Sequence, residues 1–351
     1  MTRNAYLQAV GTATPSHDIH AAFVDWASAR LHDRSARLFE RMAARAGIGH
    51  RWSVLPAATG SPVAPGGFYA EEPMPGTAAR MALYAEAAPA LALAAVAALA
   101  EQVALDGITH LVVASCTGFV APGIDQSVAR RLGLAASVER TLIGFMGCYA
   151  AVVALRTARH IVRSEPGARV LVVSVELSTL HLQASDDIEA LLAMLQFGDG
   201  AAAALVSDAP GGLTLDRPFA AALDDSASLI RWDITDRGFA MHLSGEVPGR
   251  IAAALRAPAL VEALTGGTAV DRWAVHAGGR SILDAVEGAL ALAPDALDES
   301  RAVLTACGNM SSATLLFVLA RVLAGAPVAH GVALAFGPGM AAEGIAFRSA
   351  P

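Results

Sequence analysis

Short, mostly apolar runs of strand-forming residues recur along this chain, and long alanine-rich stretches separate them. No other feature narrows the fold as much. His110 to Ser115 (H-L-V-V-A-S), Ala168 to Val175 (A-R-V-L-V-V-S-V) and Arg272 to Val275 read as strands buried on both faces. Helices are expected over 80–105, 148–164, 281–291 and 311–324. Strands alternating with helices specify an α/β fold. A second pattern points to two similar halves. F-G-D-G-A-A-A-A-L-V-S-D (197–208) and F-G-P-G-M-A-A-E-G-I-A-F (336–347) share a Phe-Gly-x-Gly turn followed by a small-residue strand. Pro210-Gly211-Gly212 is the expected join, dividing the chain into 1–209 and 210–351.

Composition excludes several kinds of chemistry. All 25 basic residues are arginine. Without lysine there is no lysine Schiff base, no pyridoxal-phosphate lysine and no P-loop lysine. A net charge of −7 argues against nucleic acid as the main partner. Three cysteines, Cys116, Cys148 and Cys307, cannot build a disulfide framework and suggest a reducing compartment. The first ten residues lack the apolar core of a signal peptide. Ala87 to Ala100 is the longest apolar stretch, too short to span a bilayer, and reads as a buried helix. A soluble cytoplasmic protein without membrane insertion is expected.

Three polar residues stand in tight glycine-bearing contexts: Cys148 in G-F-M-G-C-Y-A-A, His276 in W-A-V-H-A-G-G-R, and Asn309 in C-G-N-M-S-S-A-T. A thiol, an imidazole and an amide can together run acyl transfer. The thiol takes the acyl group, and the other two donate to a thioester oxygen as it becomes negative. Each residue alone has a plainer reading: a small core hydrophobe, a satisfied core histidine and a helix N-cap. Cys148 directly precedes an apolar helix, so free N–H groups and the helix dipole are expected to lower its pKa, by about two and a half units if it is to be mostly thiolate at neutral pH.

With these motifs in this order, the chain resembles type III polyketide synthases, the chalcone and stilbene synthase family, over residues 5–348. The family's closing G-F-G-P-G stands here as Ala335-Phe336-Gly337-Pro338-Gly339. The resemblance implies a thiolase-like fold, with two pseudo-duplicated halves in a layered αβαβα arrangement, and a homodimer. It also implies a Cys148–His276–Asn309 triad that loads an acyl-CoA starter on Cys148, decarboxylates malonyl-CoA and condenses repeatedly. CoA thioesters are substrates, and neither a metal nor a further cofactor is implied.

By the same resemblance, Phe197 and Met241 occupy the gatekeeper positions, with Met241 where plant members carry Phe. Thr117, Thr179, Ser311 and Phe336 fall at substrate-lining positions. Arg30, Arg34, Arg37, Arg41 and Arg45 recur at helical spacing, and Arg41 and Arg45 match residues that bind CoA. The family's usual proline after the histidine is Ala277, and Arg280 follows the two glycines. S-C-T-G-F-V-A-P-G (115–123) resembles bacterial members that make alkylpyrones or alkylresorcinols from fatty acyl-CoA starters. The alternatives are a ketoacyl-ACP synthase III-like enzyme performing one condensation, and a non-catalytic thiolase-like subunit.

Overall fold

The computed structural model describes residues 3–55, 61–223 and 226–351. Among them a nine-stranded mixed sheet forms the frame. Its strands in chain order are β1 (Tyr6–Ala13), β2 (His110–Ser115), β3 (Glu139–Gly144), β4 (Arg169–Leu177), β5 (Asp199–Ser207), β6 (Leu213–Ala222), β7 (Arg272–Val275), β8 (Gly331–Gly337) and β9 (Ala341–Ser349). The spatial order is β7-β8-β9-β6-β1-β5-β4-β2-β3.

The order repeats itself. β2 pairs parallel with β4, which pairs antiparallel with β5, which pairs antiparallel with β1. In the same way β7 pairs parallel with β8, β8 antiparallel with β9, and β9 antiparallel with β6. The two Phe-Gly-x-Gly turns lead into β5 and β9, which are equivalent strands. The halves join where β1 meets β6 through two pairs, Tyr6 with Thr214 and Leu7 with Leu213.

Because side chains alternate along a strand, each half offers one face to each of two cores. On β2, Val112 and Ala114 point into a central core, while Leu111 and Val113 point into an outer one. The central core holds two helices, Ala150–Ser164 and Ala313–Leu323, between strands of both halves. Helix Thr77–Ala100 covers the outer face of the first half, and helices Val247–Leu255 and Arg280–Leu290 cover that of the second. The result is five layers, αβαβα.

Among the described residues, Thr77–Ala100 is the one helix long and apolar enough to cross a membrane. It begins ten residues earlier than the apolar run at Ala87. Ala88, Ala92, Ala95 and Leu99 face the sheet and are buried. The approach is close because β1 carries Gly11: a Cβ there would lie 2.1 Å from Leu99 N and 2.4 Å from Ala95 O. The arginine stripe of residues 30–45 does not lie on one helix. The chain breaks at Leu31–His32, giving helices His20–Arg30 and Asp33–Ala44, and Arg30 turns aside to pair with Asp186 at 3.3 Å.

Candidate active site

The site lies at the carboxyl ends of the parallel strands, where an α/β sheet presents its loops. β2 leads into Cys116 and Thr117, β4 ends on Glu176 and Leu177, and β7 leads into His276. The amino ends of the two central helices meet these loops. Cys148 sits in a 3-10 turn, Gly147–Tyr149, that runs into helix Ala150–Ser164. Gly147 takes φ +76, and a Cβ there would strike Pro338 at 2.3 Å. A Cβ on Gly337 would meet the Tyr149 ring at 2.7 Å and Cys148 N at 3.3 Å. The Phe-Gly-Pro-Gly turn of the second half thus closes on the cysteine turn of the first, and both glycines are required for the approach.

Asn309 is held from the other direction. Its N–H donates to Gln196 O at 2.8 Å, and Gly198 N–H donates to Asn309 O at 3.0 Å. This brackets Phe197 in a parallel bridge with Asn309. The Asn309 side chain accepts from Ser311 N–H at Oδ1, 2.8 Å, and donates from Nδ2 to Gly278 O, 3.2 Å. Those two bonds orient the amide, leaving one Nδ2 proton for another acceptor. Asn309 is not the N-cap: that position is Ser312, ahead of helix Ala313–Leu323. Against burial, the Ser311 and Asn309 side chains pull the Cys148 pKa down. Ser311 adopts φ +48, a left-handed conformation unusual for a residue with a side chain.

His276 is anchored through its backbone N–H to Leu334 O at 2.8 Å. Its ring is buried, and among the described residues neither Nδ1 nor Nε2 has a hydrogen-bond partner. Burial pushes its pKa down to about 3, so the ring is neutral. An uncharged imidazole keeps one N–H to donate and one lone pair to accept a proton.

Cys148 does not follow the expectation of a lowered pKa. Burial, then the nearby Glu176 carboxylate, push it up to about 12, against the pull of the Ser311 and Asn309 side chains. Burial also raises the thiols of Cys116 and Cys307. The helix terminus alone therefore does not make Cys148 a thiolate, and what distinguishes this thiol is its neighbours.

Glu176 is such a neighbour, and sequence reasoning missed it. Its carboxyl is fully buried and accepts from Cys116 N–H (2.9 Å), from the Thr117 hydroxyl (3.0 Å) and from Ser312. Burial nevertheless raises its pKa to about 7. Thr117 spends its hydroxyl here, also accepting from Leu177 N–H at 2.8 Å. It lines neither of the two cavities described next.

The first cavity is narrow, about 70 Å³, and mostly apolar; Phe197, Met241, Thr179, Phe23, Val63 and Met194 are among its walls. Thr179 has its hydroxyl committed to Asp199 Oδ2 and Ser53 Oγ, both at 2.7 Å. One wall is a hairpin, Ile230–Thr235 with Gly238–Leu243. Trp232 Nε1–H donates to Cys116 O at 2.9 Å, and Phe239 stacks on His181 with centroids 4.1 Å apart. His181 donates from Nε2 to Thr117 O (2.7 Å) and accepts at Nδ1 from Phe239 N–H (3.0 Å), tying hairpin to loop. The signal for this hairpin was the turn Asp236-Arg237-Gly238 between alternating residues.

The second cavity is an open groove of about 680 Å³ with Arg45, Gln196, Gly278, Gly279, Arg280 and Ser281 on its walls. Arg41 is exposed one helical turn before Arg45 and is not on the wall. Arg280, which the sequence showed only as a departure, donates to Arg45 O at 3.2 Å and stands at the mouth. Phe336 and Ser311 line neither cavity; Phe336 is buried in the outer core of the second half. Asn309 lines neither cavity but touches a wall of each, bridging Phe197 of the first and bonding Gly278 of the second.

Sequence profiles of the chalcone and stilbene synthases match almost all of the chain: the N-terminal domain over residues 2–210 and the C-terminal domain over 217–351. The chain belongs to the chalcone and stilbene synthase family. It is a type III polyketide synthase, an acyltransferase-type enzyme, which sets aside the single-condensation and non-catalytic readings. Among its relatives is the alpha-pyrone synthesis polyketide synthase-like Pks18 of Mycobacterium tuberculosis, 35% identical over 287 residues, covering 76% of this chain and 72% of that protein. Among solved structures, PKS-I of the brown alga Ectocarpus siliculosus superposes with a TM-score of 0.88 at 30% identity over 99% of both chains. The C-terminal type III polyketide synthase domain of Steely1 from Dictyostelium gives 0.88 at 26% identity over 99% of this chain and 100% of that one.

Proposed function

We propose that this synthase extends an aliphatic acyl-CoA starter with malonyl-CoA and closes the chain to an alkylpyrone or alkylresorcinol. The observation that carries the catalytic assignment is His276: a buried imidazole with both nitrogens unpartnered among the described residues, at the end of β7 beside the turn that closes on Cys148. A buried polar ring without partners costs free energy, and a site that awaits an oxyanion accounts for it. Cys148 Sγ attacks the starter thioester as its proton passes to His276, and CoA leaves. Malonyl-CoA then loses carbon dioxide, and the enolate oxygen is held by the His276 N–H and the free Nδ2 proton of Asn309. The enolate carbon attacks the Cys148 thioester, the C–S bond breaks to release the Cys148 thiolate, and the lengthened chain, now on the incoming CoA, reloads onto Cys148 for the next round. Neither metal nor redox cofactor enters any step.

The narrow apolar cavity with flexible Met241 suits a slim aliphatic chain better than a flat aromatic starter. The pyrone assignment leans on the relative named for alpha-pyrone synthesis. Arg45 and Arg280 at the open groove supply guanidinium forks for CoA phosphates, with Arg41 further out along the approach. Dimerisation through β3 is part of the reading. Among the described residues β3 ends the sheet with one edge unpaired, and the large apolar residues Leu142 on it and Phe119 near it are exposed. A cytoplasmic location fits the three free cysteines.

The test is an assay with malonyl-CoA and short, long and aromatic acyl-CoA starters, read by product mass beside Cys148→Ala. Several extensions on long-chain starters, lost in the variant, are expected. Efficient turnover of aromatic starters alone would refute the aliphatic reading.

A further inference from the structure

We propose that His110, Glu139 and Glu165 form a binding site for one divalent transition-metal ion, zinc above all, on the rim of the sheet opposite the thiol. His110 opens β2, and its carboxyl end leads to Cys116, so the cluster lies at the far end of that strand. The three backbones are fixed. His110 and Glu139 are register partners on adjacent parallel strands, and Glu139 N–H donates to Thr109 O at 3.0 Å. Glu165 closes helix Ala150–Ser164, with its N–H on Ile161 O at 2.8 Å. One ligand atom from each side chain lies within 4.8 Å of the other two.

The distances suit a metal better than hydrogen bonds. His110 Nε2 is 3.5 Å from Glu165 Oε2 and 3.8 Å from Glu139 Oε2. Ordinary hydrogen bonds would be about 2.7–3.2 Å. Zinc bonds of about 2.0–2.2 Å at a tetrahedral angle place neighbouring ligand atoms roughly 3.3–3.5 Å apart.

The imidazole is also braced from behind. Its Nδ1 is 2.8 Å from Thr109 Oγ1, which donates to Arg169 O at 3.2 Å and accepts from Arg169 N–H at 3.0 Å. With the hydroxyl proton on Arg169 O, Nδ1–H donates to Thr109, and Nε2 presents its lone pair to the carboxylates. A second nitrogen held in this way is the common support of a metal-ligating histidine. The His110 side chain is only 7% exposed, whereas Glu139 and Glu165 are 73% and 52% exposed, so a fixed ligand faces two accessible ones. One nitrogen and two carboxylates carry two negative charges, which a divalent ion neutralises. The nitrogen favours zinc, cobalt or nickel over magnesium or calcium. A bound ion would staple two strand starts to the end of the helix whose other end carries Cys148, without entering the condensation.

Calorimetric titration of chelator-treated protein with zinc chloride at pH 7.5, in a buffer that does not bind zinc, tests this. One zinc per chain is expected, with affinity reduced at least about tenfold in the Glu139→Gln, Glu165→Gln double variant. Zinc should raise the thermal midpoint of the parent and not that of the double variant. His110→Ala should lose binding too; should it fail to fold, the surface double variant decides. Absence of stoichiometric binding, or equal affinity in parent and double variant, overturns the proposal.

Discussion

At the scale of single residues, burial sets the chemistry of this site. Cys148 at about 12 and His276 at about 3 are each uncharged at neutral pH. A proton passed from sulfur to imidazole creates two opposite charges whose attraction offsets part of both burial penalties. His276→Ala removes that route. Iodoacetamide inactivation of the variant at pH 7 should be at least tenfold slower than that of the parent, with the gap closing as pH rises. Equal rates at pH 7 would mean that His276 does not take the proton.

Glu176 gives a second test at this scale. It binds its proton more tightly in the fold than in the unfolded chain. Its contribution to stability is therefore whole below its ordinary value of 4.5 and is lost as pH rises through about 7. Glu176→Gln carries no charge, and its amide can donate to Ser312 while its oxygen accepts from Cys116 and Thr117. Its thermal midpoint relative to the parent should become more favourable from pH 5 to pH 8; a flat difference would contradict the burial argument.

At the scale of elements, close approach between backbones positions the parts. Helix Thr77–Ala100 rests on β1 where Gly11 leaves no room for a methyl group. Gly11→Ala should cost roughly 1–3 kcal/mol or more in denaturant unfolding, since helix or strand must shift. A variant as stable as the parent would show that the contact is compliant. The same logic governs the site. Gly147 and Gly337 let two turns from different halves close on Cys148, and the Phe197–Asn309 bridge joins a turn of the first half to the Asn309 amide of the second. The arginine series shows the opposite case. Its spacing was helical, but the break at Leu31–His32 divides it, and Arg45 alone of the series reaches the groove wall.

At the scale of the whole molecule, the duplicated strand order leaves one strand, β3, without a counterpart among the described strands and with an open edge. Light scattering should find a dimer in solution. Leu142→Glu, which puts a charge on the exposed apolar edge, should shift it toward monomer with the fold intact by circular dichroism. A parent that runs as a monomer would remove this face from consideration as an interface.

By itself the sequence determined the α/β class and the repeat behind the two halves, and it singled out Cys148, His276 and Asn309 as the candidate residues. Apolar runs and glycine-bearing motifs are local and survive without coordinates. The strands at 110–115 and 272–275 were legible to the residue, because burial on both faces leaves apolar runs, L-V-V-A and W-A-V, with polar residues only at their ends. Only the tertiary structure brought Glu176 beside Cys148, locked His181 between Phe239 and Thr117, and put Arg280 at the groove. It also reversed the expected pKa of Cys148. A helix terminus can be read from the chain, but desolvation and a carboxylate from another strand depend on which segments enclose the thiol, and only the packed fold decides that.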